Sequence, residues 1–154
     1  MVTRAERRAT DPDLGVLSGR LLFAVQRELF ATLATQGFDD LKYRHGAVLA
    51  YLTADGVRAT ELSRLSGQHK QIIGTLVDEL EALGYLERRP DPSDRRAKLV
   101  CPTERGLAQM RAADAIVDGI EARHAERLGA KNYRLFKQMF RELTEPPPGS
   151  EPPD

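Results

Sequence analysis

At 154 residues, with 41% apolar residues, 30% charged residues and no net charge, the chain has the size and composition of one ordinary globular domain with a real core. No apolar run approaches the ~18 residues needed to span a bilayer. The charged residues 1–8 precede no apolar signal segment, and a single cysteine, Cys101, allows no internal disulfide, which together point to a reducing cytoplasm.

Residues 1–10 are expected to be a flexible arm. A first helix is expected to open at Thr10 or Asp11, with Pro12 in an early position where its missing N–H costs nothing. Leu14, Leu17, Leu21, Val25, Leu29 and Leu33 then recur at spacings of three and four until Gly37, an apolar stripe along one face. A second helix is expected over 42–53, with Val48, Leu49 and Leu52 inward, before the turn signal Asp55-Gly56. A third, over 60–68, is barely two turns long and stops at Gly67, where a left-handed C-cap suits glycine. The fourth starts near His69, with Ile72, Leu76, Leu80 and Leu83 read as its inward face, and ends at Gly84. Two helices joined by three or four residues with a glycine in the turn form the helix-turn-helix pattern.

The stretch that follows is the most telling. Tyr85-Leu86 and Leu99-Val100 flank a polar insert with Pro90 and Pro92 and an excess of arginine, which reads as a hairpin with a prolonged basic tip. A long helix over 103–128, capped by Thr103, carries Leu107, Met110, Ala113, Val117, Ile120 and His124. Gly129 breaks it, and a last helix over 131–143 shows Leu135, Phe136, Met139, Phe140 and Leu143. The proline-rich residues 146–154 are expected to be disordered. The fold class is mainly α with a small β-hairpin wing.

A basic hairpin behind a helix-turn-helix is suited to touching DNA in both grooves. The outward side of the fourth helix offers His69, Lys70, Gln71, Gly74 and Thr75. Glutamine pairs with adenine, threonine meets a thymine methyl, lysine reaches guanine or phosphate, and Gly74 leaves room for the DNA backbone. At the hairpin tip, Arg95 and Arg96 are suited to a narrow minor groove, with Lys98 beside them. Asp94 would be repelled by phosphate if it faced outward, so it is expected to brace an arginine.

Residues 59–106 resemble the winged helix-turn-helix core of the MarR family of bacterial transcription regulators. The likeness rests on Asp94-Arg95-Arg96 followed by Thr103-Glu104-Arg105-Gly106, on the run from Leu76 to Arg89, and on Gly37-Phe38 with His45-Gly46-Ala47-Val48-Leu49. Two positions depart from the family pattern: His69 stands where Ser or Thr caps the recognition helix, and Pro102 where Leu precedes the Thr. The resemblance implies a winged core over about 41–102 and dimerisation helices over about 11–36 and 103–143, within a family-like domain spanning 11–145. It further implies a homodimer on a pseudo-palindromic double-stranded operator, with repressor activity answering to a small aromatic or amphipathic effector.

The dimer interface is expected to hold Leu17, Leu21, Val117, Ile120, Phe136 and Phe140, because the terminal stripes exceed what one small chain buries. The effector cleft is expected near Phe23, Phe30, Tyr43, His45 and Tyr51. Cys101 reads as a buried small apolar residue. The three histidines lack metal-ligand spacing, and no cofactor is implied. No phosphate loop, nucleophile elbow or zinc-protease motif supports an enzyme. An interaction adaptor without DNA binding is the alternative, supported by the zero net charge and His69.

Overall fold

The computed structural model describes residues 3, 6 and 9–145. Most of the expected arm at 1–10 and the whole of the tail at 146–154 lie outside the described residues. The chain divides into two compact units, residues 1–116 and 117–154, with the boundary inside a helix.

In the first unit, α1 spans Leu14–Thr35. It begins later than the sequence suggested, because Asp13 rather than Thr10 or Asp11 is the cap: its carboxylate accepts the Val16 N–H at 2.9 Å. Gly37, at φ 94°, turns the chain out of the helix, and the Phe38 N–H closes back on the Leu33 carbonyl. Only the C-terminal part of α1 enters the core, through Phe30 and Leu33. Leu14, Leu17 and Leu21 remain exposed.

The expected 42–53 helix is shorter and tighter. A 3₁₀ turn at Tyr43–His45 leads into α2, Gly46–Leu49. The chain then turns at Asp55-Gly56 and forms β1, Val57–Arg58. This strand was not foreseen, since two residues carry no alternation to read. Gly56 is required here twice over. Its φ is 91°, and a Cβ would stand 2.5 Å from the Cys101 sulfur, which the turn covers.

The helix-turn-helix is α3, Ala59–Ser66, and α4, Lys70–Ala82. Gly67 takes the left-handed conformation at φ 68°. The core face of α4 is Ile73, Leu76, Val77 and Leu80. Ile72, read as inward, is 44% exposed, because the buried stripe runs one residue further along the helix.

Strands β2, Leu86–Asp91, and β3, Asp94–Pro102, pair antiparallel, and β1 joins β3 on its other side, giving the order β1-β3-β2. The hairpin is therefore strand almost to its end, with Pro92-Ser93 as the turn, rather than two short ends around a long loop. The next helix, α5, spans Glu104–Leu128. Its start is a joint: the Thr103 hydroxyl donates to the Gly84 carbonyl at 2.6 Å and accepts the Gly106 N–H at 3.2 Å. A Cβ on Gly106 would lie 2.2 Å from the Tyr85 carbonyl oxygen, so only glycine lets the first turn rest there.

Tyr85 is fully buried and donates to Asp40 at 2.5 Å. The Arg105 guanidinium lies 4.2 Å over its ring and pairs with Asp40 at 2.9 Å. Burial and the neighbouring Asp40 carboxylate push the Tyr85 hydroxyl pKa upward. Partial burial opposes the Asp40 charge, but the hydrogen bonds from Tyr85 and Arg105 outweigh it and lower its pKa.

In the second unit, the end of α5 and α6, Ala130–Thr144, are joined at Gly129, φ 84°. Lys137 reaches Glu121 at 2.6 Å, and Tyr133, Phe136 and Phe140 stack along α6. No residue of α6 is buried.

Candidate nucleic-acid interface

Helix α4 starts from His69, whose backbone is extended and whose side chain caps nothing. The departure from a Ser or Thr cap thus leaves the first-turn N–H groups without a side-chain acceptor. The turn before it is held from α3 instead: Ser63 donates its hydroxyl to the Gln68 carbonyl at 2.6 Å. His69, Lys70, Gln71 and Thr75 are all exposed, and nothing lies within 4 Å of a Cβ built on Gly74. The Thr75 hydroxyl donates to the Gln71 carbonyl at 3.1 Å, so its methyl group is what it offers outward.

The hairpin sorts its own charges. Arg88 binds Asp78 and Glu81 of α4, fastening β2 to the recognition helix, and Arg89 binds Glu87. These two arginines, counted with the basic tip in the sequence, are neutralised by carboxylates of α4 and of β2 itself. Arg95, Arg96 and Lys98 are exposed and have no acidic partner among the described residues. The register explains their prominence. Pro90 pairs with Lys98 and Asp91 with Asp94, so residues 95–97 have no counterpart on β2 and bulge outward.

At the tip, the close pair is made by Asp91, with Asp94 at the edge of ion-pair range of the same arginine. Asp91, almost fully buried, receives the Arg58 guanidinium at 2.5 Å and both the hydroxyl and N–H of Ser93 at 2.7 and 2.8 Å. Asp94 accepts only the backbone N–H of Arg96, at 3.0 Å, and stands 3.9 Å from Arg58. Bracing therefore falls to Asp91, with Arg58 as its arginine, because β1 brings that side chain against the wing. The Ser93 hydroxyl and N–H, then Arg58, hold the Asp91 carboxyl at a pKa of about 2.

A cavity of about 420 Å3 opens among α1, the 43–45 turn, α2 and α4, lined by Leu22, Gln26, Tyr43, Arg44, Tyr51 and Ile72 among others. Of the five residues expected at a cleft, Tyr43 and Tyr51 line it. Phe23 and Phe30 stand behind, edge-on against the Tyr43 ring. His45 is turned away and buried. Its Nδ1 accepts the Lys42 N–H at 3.0 Å, which assigns the proton to Nε2, the atom 3.0 Å from Glu79. The His45 hydrogen bond, followed by Arg44, lowers the pKa of Glu79. The sequence reading missed Leu22, Gln26, Arg44 and Ile72. An isoleucine one step off the buried stripe of α4 was the available signal.

A sequence model described as "MarR family" matches residues 39–97. The transcriptional repressor Rv2887 of Mycobacterium tuberculosis is 30% identical over 135 residues, covering 88% of this chain and 96% of that protein. The chain belongs to the MarR family. Similar solved structures include CouR of Rhodococcus jostii bound to p-coumaroyl-CoA, with a TM-score of 0.73, 30% identity, and coverage of 90% of this chain and 96% of CouR. CouR bound to a 23-mer DNA duplex gives 0.72 at 25% identity, covering 93% and 100%. The Rv2887 complex with salicylic acid gives 0.61 at 31% identity, covering 88% and 98%. As a MarR-family winged-helix protein, the chain is a DNA-binding transcriptional regulator. Among the described residues, no helix is long and apolar enough to cross a membrane.

Of the six expected interface residues of this MarR-family chain, Leu17, Leu21 and Phe136 are exposed, and Val117 and Phe140 are half-buried. Ile120 differs. It is 4% exposed and already covered within the single chain, so it offers no open surface to a partner.

Proposed function

We propose that the protein is a homodimeric cytoplasmic repressor, without enzymatic activity, that reads a pseudo-palindromic operator and releases it when a small aromatic carboxylate fills the cavity. The carrying observation is the sorting of charge. Arg88 and Arg89 are neutralised internally, while Lys70 on α4 and Arg95, Arg96 and Lys98 on the wing have no acidic partner among the described residues. Zero net charge is no obstacle, since counterion release depends on the local cluster. In this reading Gln71 meets adenine, Thr75 a thymine methyl, Lys70 guanine or phosphate, and Arg95 and Arg96 the minor groove, with Lys98 on the backbone.

The dimer is supported by α6, which buries nothing and exposes Leu135, Phe136, Met139 and Leu143. Two recognition helices must stand about one DNA turn apart, roughly 34 Å. The effector class follows from the cavity, which joins apolar and aromatic walls to one guanidinium. Salicylic acid, bound by the relative Rv2887, belongs to this class, whereas p-coumaroyl-CoA, bound by CouR, shares the aromatic ring but carries its acyl group as a thioester. An occupant would shift the population toward lobe spacings that miss successive major grooves.

The test combines sedimentation, selection of a duplex from a random pool, and titration of that duplex with and without salicylate. The expected results are a mass near twice 17.2 kDa, a pseudo-palindromic selected site, and weaker binding when salicylate is present. A monomer, or equal affinity for selected and scrambled duplexes, would overturn the reading. The second outcome would favour an interaction adaptor.

A further inference from the structure

Arg44 belongs to two structures at once. It is the only charged side chain among the residues lining the cavity, and its guanidinium grips Glu79 of α4 through Nε at 3.0 Å and Nη2 at 2.9 Å. The same carboxylate accepts the Nε2 proton of His45. Glu79 thus ties the 43–45 turn, one wall of the cavity, to the last turn of the recognition helix. Arginine has five N–H groups, and Glu79 takes two. No described group engages Nη1, and the side chain is 54% exposed.

We infer that Arg44 couples the cavity to the recognition helix: an anion in the cavity takes the free edge of its guanidinium and draws it from Glu79. The inference rests on the effector reading of this cavity. Two carboxylates then compete for one positive charge, and each weakens the other's hold. The tie between the turn and α4 is loosened only by anions, because an uncharged ligand of the same shape leaves the Arg44–Glu79 pair intact. Coupling free energies are reciprocal: if the ligand weakens the Glu79 contact, Glu79 must weaken the ligand. Arg44 is a positioning residue in this scheme, not a contact to DNA.

The test uses the full-length protein and its selected duplex, with salicylate as the anionic probe and salicylamide as its uncharged counterpart. Glu79→Gln keeps an acceptor for His45 but removes the competing charge. Isothermal titration should show salicylate binding Glu79→Gln about three- to tenfold more tightly than the parent, while its effect on DNA affinity shrinks by a similar factor. Salicylamide should bind both proteins alike and change DNA affinity in neither. Arg44→Lys keeps the charge without the two-pronged grip, so it should weaken salicylate binding and the DNA response together. It carries the test alone if thermal unfolding shows Glu79→Gln to be misfolded. Salicylate that binds parent and Glu79→Gln equally, with the same loss of DNA affinity, overturns the coupling and leaves the effector cavity standing. Salicylate that neither binds the parent nor alters its DNA affinity overturns the effector reading and the coupling with it.

Discussion

Arg58 of β1 and Asp91 at the end of β2 meet at 2.5 Å through the guanidinium Nη2 and at 2.7 Å through Nε, across 33 positions of sequence. This pair fixes the wing to the strand that leads into the helix-turn-helix. Both guanidinium nitrogens close on one carboxylate oxygen, Oδ2, while Ser93 occupies Oδ1, so the charge-assisted contact fixes the arginine in the plane of its own fork. The wing's direction is therefore set by a side chain outside the hairpin.

The same pair has a pH signature. The folded pKa of Asp91, about 2, lies below its ordinary value of 3.8. A depressed carboxylate contributes stability that is full above the unfolded pKa and is lost as pH falls through the folded one. Asp91→Asn should unfold at a lower temperature than the parent at pH 7, and the gap should close between about pH 4 and pH 2. Thermal unfolding across that range checks it. A gap that stays constant to pH 2 would assign the linkage elsewhere.

Arg96 and Arg105 separate contact from architecture. Arg96→Ala should weaken operator binding by on the order of 1–3 kcal/mol and leave the unfolding temperature unchanged. Arg105→Ala removes the cation over Tyr85 and the Asp40 pair, so it should lower stability by on the order of 1–2 kcal/mol. Its effect on DNA should appear only through that loss. Paired melting curves and titrations distinguish the two, and an Arg96→Ala variant with parental affinity would remove the bulged arginines from the mechanism.

Much of this architecture was legible in the sequence. Periodicity located α4 to within two residues of its ends, and Gly67, Gly84 and Gly129 marked breaks that the backbone confirms with positive φ. What was not legible came from pairing across distance. Nothing local in Val57-Arg58 reveals that it will join β3, and without that strand Asp94 looks like the natural brace instead of Asp91. The cleft suffered likewise: aromatic residues drew attention, whereas Arg44 and Ile72 reach the cavity only because α1, the 43–45 turn and α4 converge.

Two glycines should answer oppositely to alanine. Gly106→Ala places a Cβ against the Tyr85 carbonyl and should destabilise the fold by about 1–3 kcal/mol or more. Gly74→Ala meets open space inside α4 and should stabilise it by about 0.5–1 kcal/mol. If DNA approaches the helix backbone closely at Gly74, the same variant should bind operator more weakly despite being more stable. Denaturant melts with duplex titrations resolve both effects. Unchanged DNA affinity in Gly74→Ala would show that the backbone approach does not occur there.

In the proposed mode of binding, α4 reads sequence through Gln71 while Lys70 only holds the phosphate backbone. The most direct test is the ratio of affinities for the selected and scrambled duplexes, measured at several salt concentrations for the parent, Gln71→Ala and Lys70→Ala. Gln71→Ala should lose specificity while its affinity for scrambled DNA barely changes. Lys70→Ala should weaken both duplexes together and reduce the salt slope by about one phosphate contact, because counterion release is blind to sequence. A Gln71→Ala protein that keeps the parent's full specificity ratio would show that Gln71 does not read the bases.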